Sequence, residues 1–264
     1  MDKKNEPVKE NGISLKRIFI FLIIAVPLSN IFRFNVFENR NILAELPIWI
    51  NLSSLIILEG TGVFIGALVA IYLLKKERKV EISLFGTSKS KSILMAVIPI
   101  IILPLIGVKN EYGVNEHYYG LIITLGTLLY CIMEELGWRG YLQEELKSLK
   151  PIKRYVLIGV IWYFWHLTFL TGATLWGNLF FLGIMVVGSW GIGQVAESTK
   201  SVMASACFHL IVQIMIANTL IRDGINGTQK LIILGISVVI WVIILKKWEK
   251  NNLRLLNEKQ NPNN

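Results

Sequence analysis

Residues 120–139 read GLIITLGTLLYCIMEELGWR: fourteen residues free of charge, then Glu134, Glu135 and Arg139 with no helix breaker before Pro151. An uninterrupted apolar stretch of this length is a membrane-spanning helix, because about 20 residues at about 1.5 Å rise each cross the hydrocarbon layer. Ionisable side chains at that depth cost several kcal/mol unless they are paired or set in a wet cavity. The stretch therefore predicts both the fold and the place to look for chemistry.

The rest of the chain fits that setting. Apolar residues make up 53% of it and charged residues 17%, outside the balance of a soluble domain. Eight stretches qualify as spans, at 18–32, 48–74, 93–108, 118–142, 155–170, 175–195, 202–220 and 231–245. The first lacks a small-x-small cleavage site and reads as retained. The expectation is an all-α, polytopic membrane protein of about eight transmembrane helices: a single helical domain over 15–248, flanked by disordered tails at 1–14 and 249–264. Of the Lys and Arg residues, 21 lie in the tails and alternate loops on one side and five on the other. The excess marks the cytoplasmic side, so both termini are expected there. The basic residues fall in gaps between apolar runs rather than on one face, so the net charge of +9 implies no nucleic-acid partner. Cys131 and Cys207 sit within apolar runs and imply no disulfide.

Three spans carry polar groups to similar depth. Counted at about 1.5 Å per residue from the basic ends, Glu134, His166 and His209 fall in one layer about 5 Å thick. A shared cavity open to the cytoplasm would explain the coincidence. Glu135 and Arg139 are i and i+4 with the acid first, the favoured order for an intrahelical pair. Their pairing would leave Glu134 as the unpaired carboxylate, suited to general-base work. His209 and Gln213 are also i and i+4, so two potential hydrogen-bond donors face one way, as an oxyanion site requires. Glu59, among Gly60, Gly62 and Gly66, either lines the same cavity or reaches the opposite interface.

Glu134-Glu135-x-x-x-Arg139, a span with an aromatic residue four before His166, and a span with His209 and a polar residue four later resemble the CAAX-protease and bacteriocin-processing family, also called Abi, which includes the Ras-converting CAAX endopeptidase. The resemblance covers about 118–220. It implies that Glu134 and His166 activate a water while His209 and Gln213 polarise the scissile carbonyl, with Glu135, Arg139 and Trp162 in support. Trp162 stands where the family usually has Phe, and Gln213 where it has Asn. The second change keeps the amide but moves it by one methylene, and displacing a donor by about 1 Å can cost on the order of 100-fold in rate.

The reading is then an intramembrane endopeptidase of glutamate type, acting without a cofactor on a membrane-associated peptide or protein in the bilayer of a bacterial plasma membrane. A zinc-dependent version would use Glu134, His166 and His209 as ligands, although no His-Glu-x-x-His pair is present. The rival from another class is a non-catalytic membrane protein, such as a bacteriocin-immunity factor.

Overall fold

The computed structural model describes residues 12–74, 80–171 and 174–260, with side chains to 253. Among these it is all-α, and its only β feature is an isolated bridge between Ser83 and Ser201. Eight principal helices follow one another: α1 Leu15–Arg33, α2 Ile48–Leu68, α3 Lys89–Ile106, α4 Glu116–Glu135, α5 Pro151–Trp165, α6 Leu175–Thr199, α7 Val202–Val212 and α8 Gly227–Gln260. Helices α2, α4 and α7 continue as wider π-type turns, Val69–Leu73, Leu136–Gln143 and Gln213–Ala217. Short helical turns fill several connections, including Leu167–Leu170 and Thr219–Arg222.

Six of the described helices are long and apolar enough to cross a membrane. The other two, α5 and α7, carry His166 and His209. Helix α5 has 15 residues, or about 22 Å of rise. It ends at His166, whose φ of −80° and ψ of 66° leave the helical region, so the expected span to residue 170 breaks four residues early. At the other end of the chain, α8 runs to Gln260, through twelve of the residues expected as a disordered tail. Lys, Glu, Leu, Arg and Gln predominate there and all propagate helices well. The expected tails at 1–11 and 261–264 lie outside the described residues.

Local signals set the helix ends. Side-chain oxygens of Ser14, Asn115, Thr174 and Ser201 accept first-turn backbone N–H groups of α1, α4, α6 and α7. Pro151 opens α5, where its missing N–H costs nothing.

Helix α4 with its extension is the central post: 67% of its most apolar window is buried, against 22–33% in the other long helices. Small residues let α1 and α2 press close to it and to each other. A Cβ on Gly62 would lie 2.6 Å from the Ala25 carbonyl oxygen of α1, and one on Gly137 would meet the Val63 side chain of α2. Close approach at these two glycines holds the charged segment of α4 within the protein rather than facing lipid.

Candidate active site

Glu134 is 0% exposed. Its Oε2 accepts two hydrogen bonds, from Nε1 of Trp138 and from Nε1 of Trp162, each 3.0 Å long. Oε1 has no hydrogen-bond partner among the described residues. Among the described residues the acid has no ion-pair partner, as the spacing predicts, but two indoles hold one oxygen and the Tyr130 hydroxyl lies near the carboxylate. Trp162, expected as cavity wall in place of Phe, makes a bond that Phe could not. Trp138 was missed, although it stands at i+4 from Glu134, the same spacing that identified the Glu135–Arg139 pair.

That pair is formed, with Arg139 Nε 3.0 Å from Glu135 Oε2 and both side chains fully buried. Arg139 Nη1 also donates to Ser189 Oγ of α6 at 3.3 Å, and its guanidinium lies 5.4 Å from the centre of the Trp162 ring. Glu135 has a second partner that spacing could not reveal: its Oε1 is 3.0 Å from His209 Nδ1. The far side of that imidazole, Nε2, lies 3.2 Å from Gln213 Nε2. Glu135 therefore orients His209 as well as neutralising Arg139.

His166 is held by rings. Its imidazole stacks on Phe169 with centroids 4.6 Å apart and meets Trp165 edge-on at 4.5 Å. Trp162 links the expected residues: it hydrogen-bonds Glu134 and lies 5.1 Å from the His209 ring and 6.4 Å from the His166 ring. Glu134, Glu135, Arg139, Trp162, His209 and Gln213 form one connected cluster, with His166 at its edge.

A cavity of about 450 Å³ adjoins the cluster, lined by His166, Gln213, Tyr130 and Glu59 among others. Neither Glu134 nor His209 lines it. Its lining also includes Arg33, Arg40 and Arg222, which belong to the set of segments with five Lys and Arg rather than to the set with 21. Expected to open on the basic side, the cavity lies instead among the segments at the opposite end of the helices. On the basic side the described polar groups are tied to one another. Arg17 pairs with Glu145 and Arg154 with Glu197, Gln143 Nε2 donates to the Gly193 carbonyl at 3.1 Å, and Ser83 N donates to the Lys200 carbonyl at 2.9 Å. Glu59 lines the cavity, with its Oε2 3.3 Å from Arg33 Nε.

As arranged, Glu134, His166 and His209 do not make a zinc site. Glu134 Oε2 is taken by two indoles, both nitrogens of His209 are engaged, and among the described residues no group of three His, Cys, Asp or Glu side chains is placed to hold an ion.

Fold and site together define a polytopic α-helical membrane protein with a buried acid–histidine–amide cluster. Residues 117–215 match the family model for the Rce1-like type II CAAX prenyl endopeptidases. The CAAX prenyl protease 2 of Methanococcus maripaludis is 31% identical to this chain over 99 residues, which cover 33% of this chain and 36% of that protein. Both matches support the CAAX-protease and bacteriocin-processing family that the motif spacing resembles. The chain thus aligns with about a third of its relative's length, and the range matched by the family model contains the whole cluster.

Proposed function

We propose that this protein is an intramembrane endopeptidase that hydrolyses a peptide bond of a membrane-associated protein or peptide. The observation that carries the reading is the asymmetry of Glu134. Two indole donors hold Oε2 and orient the carboxylate, so Oε1 is left to take a proton. In this reading Glu134, with His166, removes a proton from water as the water oxygen attacks the scissile carbonyl carbon. Glu134 then delivers the proton to the leaving amine as the C–N bond breaks.

The opposite charge develops on the carbonyl oxygen. Glu135 fixes the ring of His209 through Nδ1, and on protonation of Nε2, with the Gln213 amide turned away, that N–H can donate to the oxygen. The Gln213 amide, within contact of the same Nε2, supplies a second donor once it turns from the ring. Water and substrate reach Glu134 only by displacing Trp162 or its neighbours, since the acid is sealed from the cavity. The same enclosure favours a second reading, a binding protein with a vestigial site, of which a bacteriocin-immunity factor is an example. The proposed location is the bacterial plasma membrane, with both termini cytoplasmic.

The deciding experiment measures cleavage of a co-expressed membrane-peptide library by wild type, Glu134→Gln, His209→Ala, Gln213→Leu and Gln213→Asn, with insertion checked for each. The peptidase reading expects no turnover from Glu134→Gln, a loss on the order of 100- to 1,000-fold from Gln213→Leu, and retained activity in Gln213→Asn. Wild-type cleavage by Glu134→Gln would discard the glutamate mechanism. A cellular phenotype that survives every variant would favour the binder.

A further inference from the structure

The cavity that His166 and Gln213 line also holds an arginine that the peptidase reading does not use. Arg33, the last residue of α1, is only 8% exposed. An arginine at the end of a span ordinarily snorkels to the interface, whereas this one turns inward and lies flat on Trp165, with its guanidinium carbon 3.6 Å from the ring centre. Nε faces Glu59 Oε2 at 3.3 Å and Nη1 donates to the Trp165 carbonyl at 3.2 Å. Nη2 is buried without a hydrogen-bond partner among the described residues. A guanidinium left with unused N–H groups in a cavity wall calls for an acceptor.

The surroundings favour an anion. Arg40 and Arg222 line the same cavity. Glu59 faces Arg33 and Asp223 pairs with Arg222 at 2.7 Å, so three cations meet two acids and one positive charge is left over. Beyond the polar groups of Tyr130, His166, Thr168 and Gln213, the wall is apolar, from Phe169, Phe181, Ile184 and Met185 to Val212 and Ile216. Ile216 is 50% exposed, so the apolar wall continues onto the outer surface of α7, which faces the bilayer in a spanning arrangement.

We infer that this cavity binds an anionic lipid-like amphiphile, its phosphate or carboxylate head on Arg33 Nη2 and its chain passing Ile216 into the bilayer. A guanidinium suits either head, because both present oxygens to its planar fork. The head lies at Arg33, outside the Glu134–His209 cluster, although Gln213 and His166 line the same cavity, and its occupancy does not depend on proteolysis.

Native mass spectrometry and quenching of tryptophan fluorescence by brominated lipids, on the full-length protein in detergent, test the inference. The probes are phosphatidylglycerol, oleate, phosphatidylcholine, inorganic phosphate and a short apolar peptide with a free or amidated carboxyl end. Phosphatidylglycerol, oleate or both should bind at least about tenfold more tightly than phosphatidylcholine, as loss of a charged hydrogen bond implies, and which of them binds identifies the head. Arg33→Gln should abolish the preference, while Lys109→Gln, at an exposed cation outside the cavity, should preserve it. Should Arg33→Gln fail to fold, Ile216→Trp, at an exposed position, is expected to weaken the lipids by narrowing the exit and to leave inorganic phosphate unchanged. Equal binding of anionic and neutral lipids, an undiminished preference in Arg33→Gln or in Ile216→Trp, or selectivity for the free-carboxyl peptide alone would overturn the inference.

Discussion

At the scale of single residues, the site depends on partners that hold charge in a dry interior. Glu135 lies 3.0 Å from both Arg139 and His209, so replacing it strands two groups at once. Glu135→Gln and Arg139→Gln should each cost about 3–5 kcal/mol, the usual consequence of removing one partner of a buried pair. A lowered Tm in detergent is the expected result, and an unchanged Tm in both would show that the pair contributes nothing. Trp162→Phe and Trp138→Phe keep an aromatic ring but each delete one donor to Glu134. A hydrogen bond to a charged group is worth about 1.5–3 kcal/mol, so on the peptidase reading kcat should fall by about tenfold or more for either variant with KM less affected. The double variant should lose more than either single one, since both indoles serve the same oxygen.

At the scale of helices, glycine positions decide whether α4 is enclosed. Gly62→Val would drive a side chain against the α1 backbone, with Ala25 O at 2.6 Å and Ser29 N at 2.7 Å from the new Cβ. Neither atom can yield without parting α1 from α2, and overpacking of this kind costs about 1–3 kcal/mol. Gly183→Ala in α6 meets nothing within 4 Å and should leave stability unchanged or raise it by up to about 1 kcal/mol, which makes it the control. Equal melting temperatures for the two variants would show that α1–α2 contact is not needed to enclose the site.

At the scale of the molecule, the two faces differ in construction. On the basic face Glu81 bridges Lys147 at 2.7 Å and Lys200 at 2.8 Å, tying the segment before α3 to the ends of α4 and α6. Hydrogen bonds from Lys147 and Lys200 hold its carboxyl down at about 2, from an ordinary 4.5. A carboxyl depressed on folding stabilises above its unfolded pKa, and that contribution is lost as pH falls from about 4.5 toward 2. The group is about one-third exposed, so screening keeps the effect modest. Limited proteolysis around residue 81 should accelerate across that window in wild type, and Glu81→Gln should show the faster rate already at neutral pH. The opposite face holds the cavity mouth, and cysteine labelling fixes which compartment it meets. Charge asymmetry expects Cys at Ser148 to react only from the cytoplasm, and Cys at Asn110 and Thr168 only from outside. Labelling of Ser148 and Asn110 from one side would discard the orientation, and Thr168 labelled with Ser148 would put the mouth back on the cytoplasmic face.

The apolar runs alone determined the helical membrane fold and the approximate order and place of its helices, though not the ends of α5 and α8, because in hydrocarbon each backbone polar group must be satisfied within its own segment. Spacing along one helix likewise determined the Glu135–Arg139 pair, since i and i+4 share a face whatever the helix packs against. Contacts between helices were beyond that reach. The bond from Trp162 to Glu134, the support of His209 by Glu135 and the inward turn of Arg33 onto Trp165 join residues 28, 74 and 132 positions apart. Only packing brings them together. The end at which the cavity lies was also a tertiary outcome: α5 stops at His166 and leaves space there, while ion pairs among distant residues tie the described part of the basic end together. A count of charges along the chain registers which residues are basic, but not which of them find a partner.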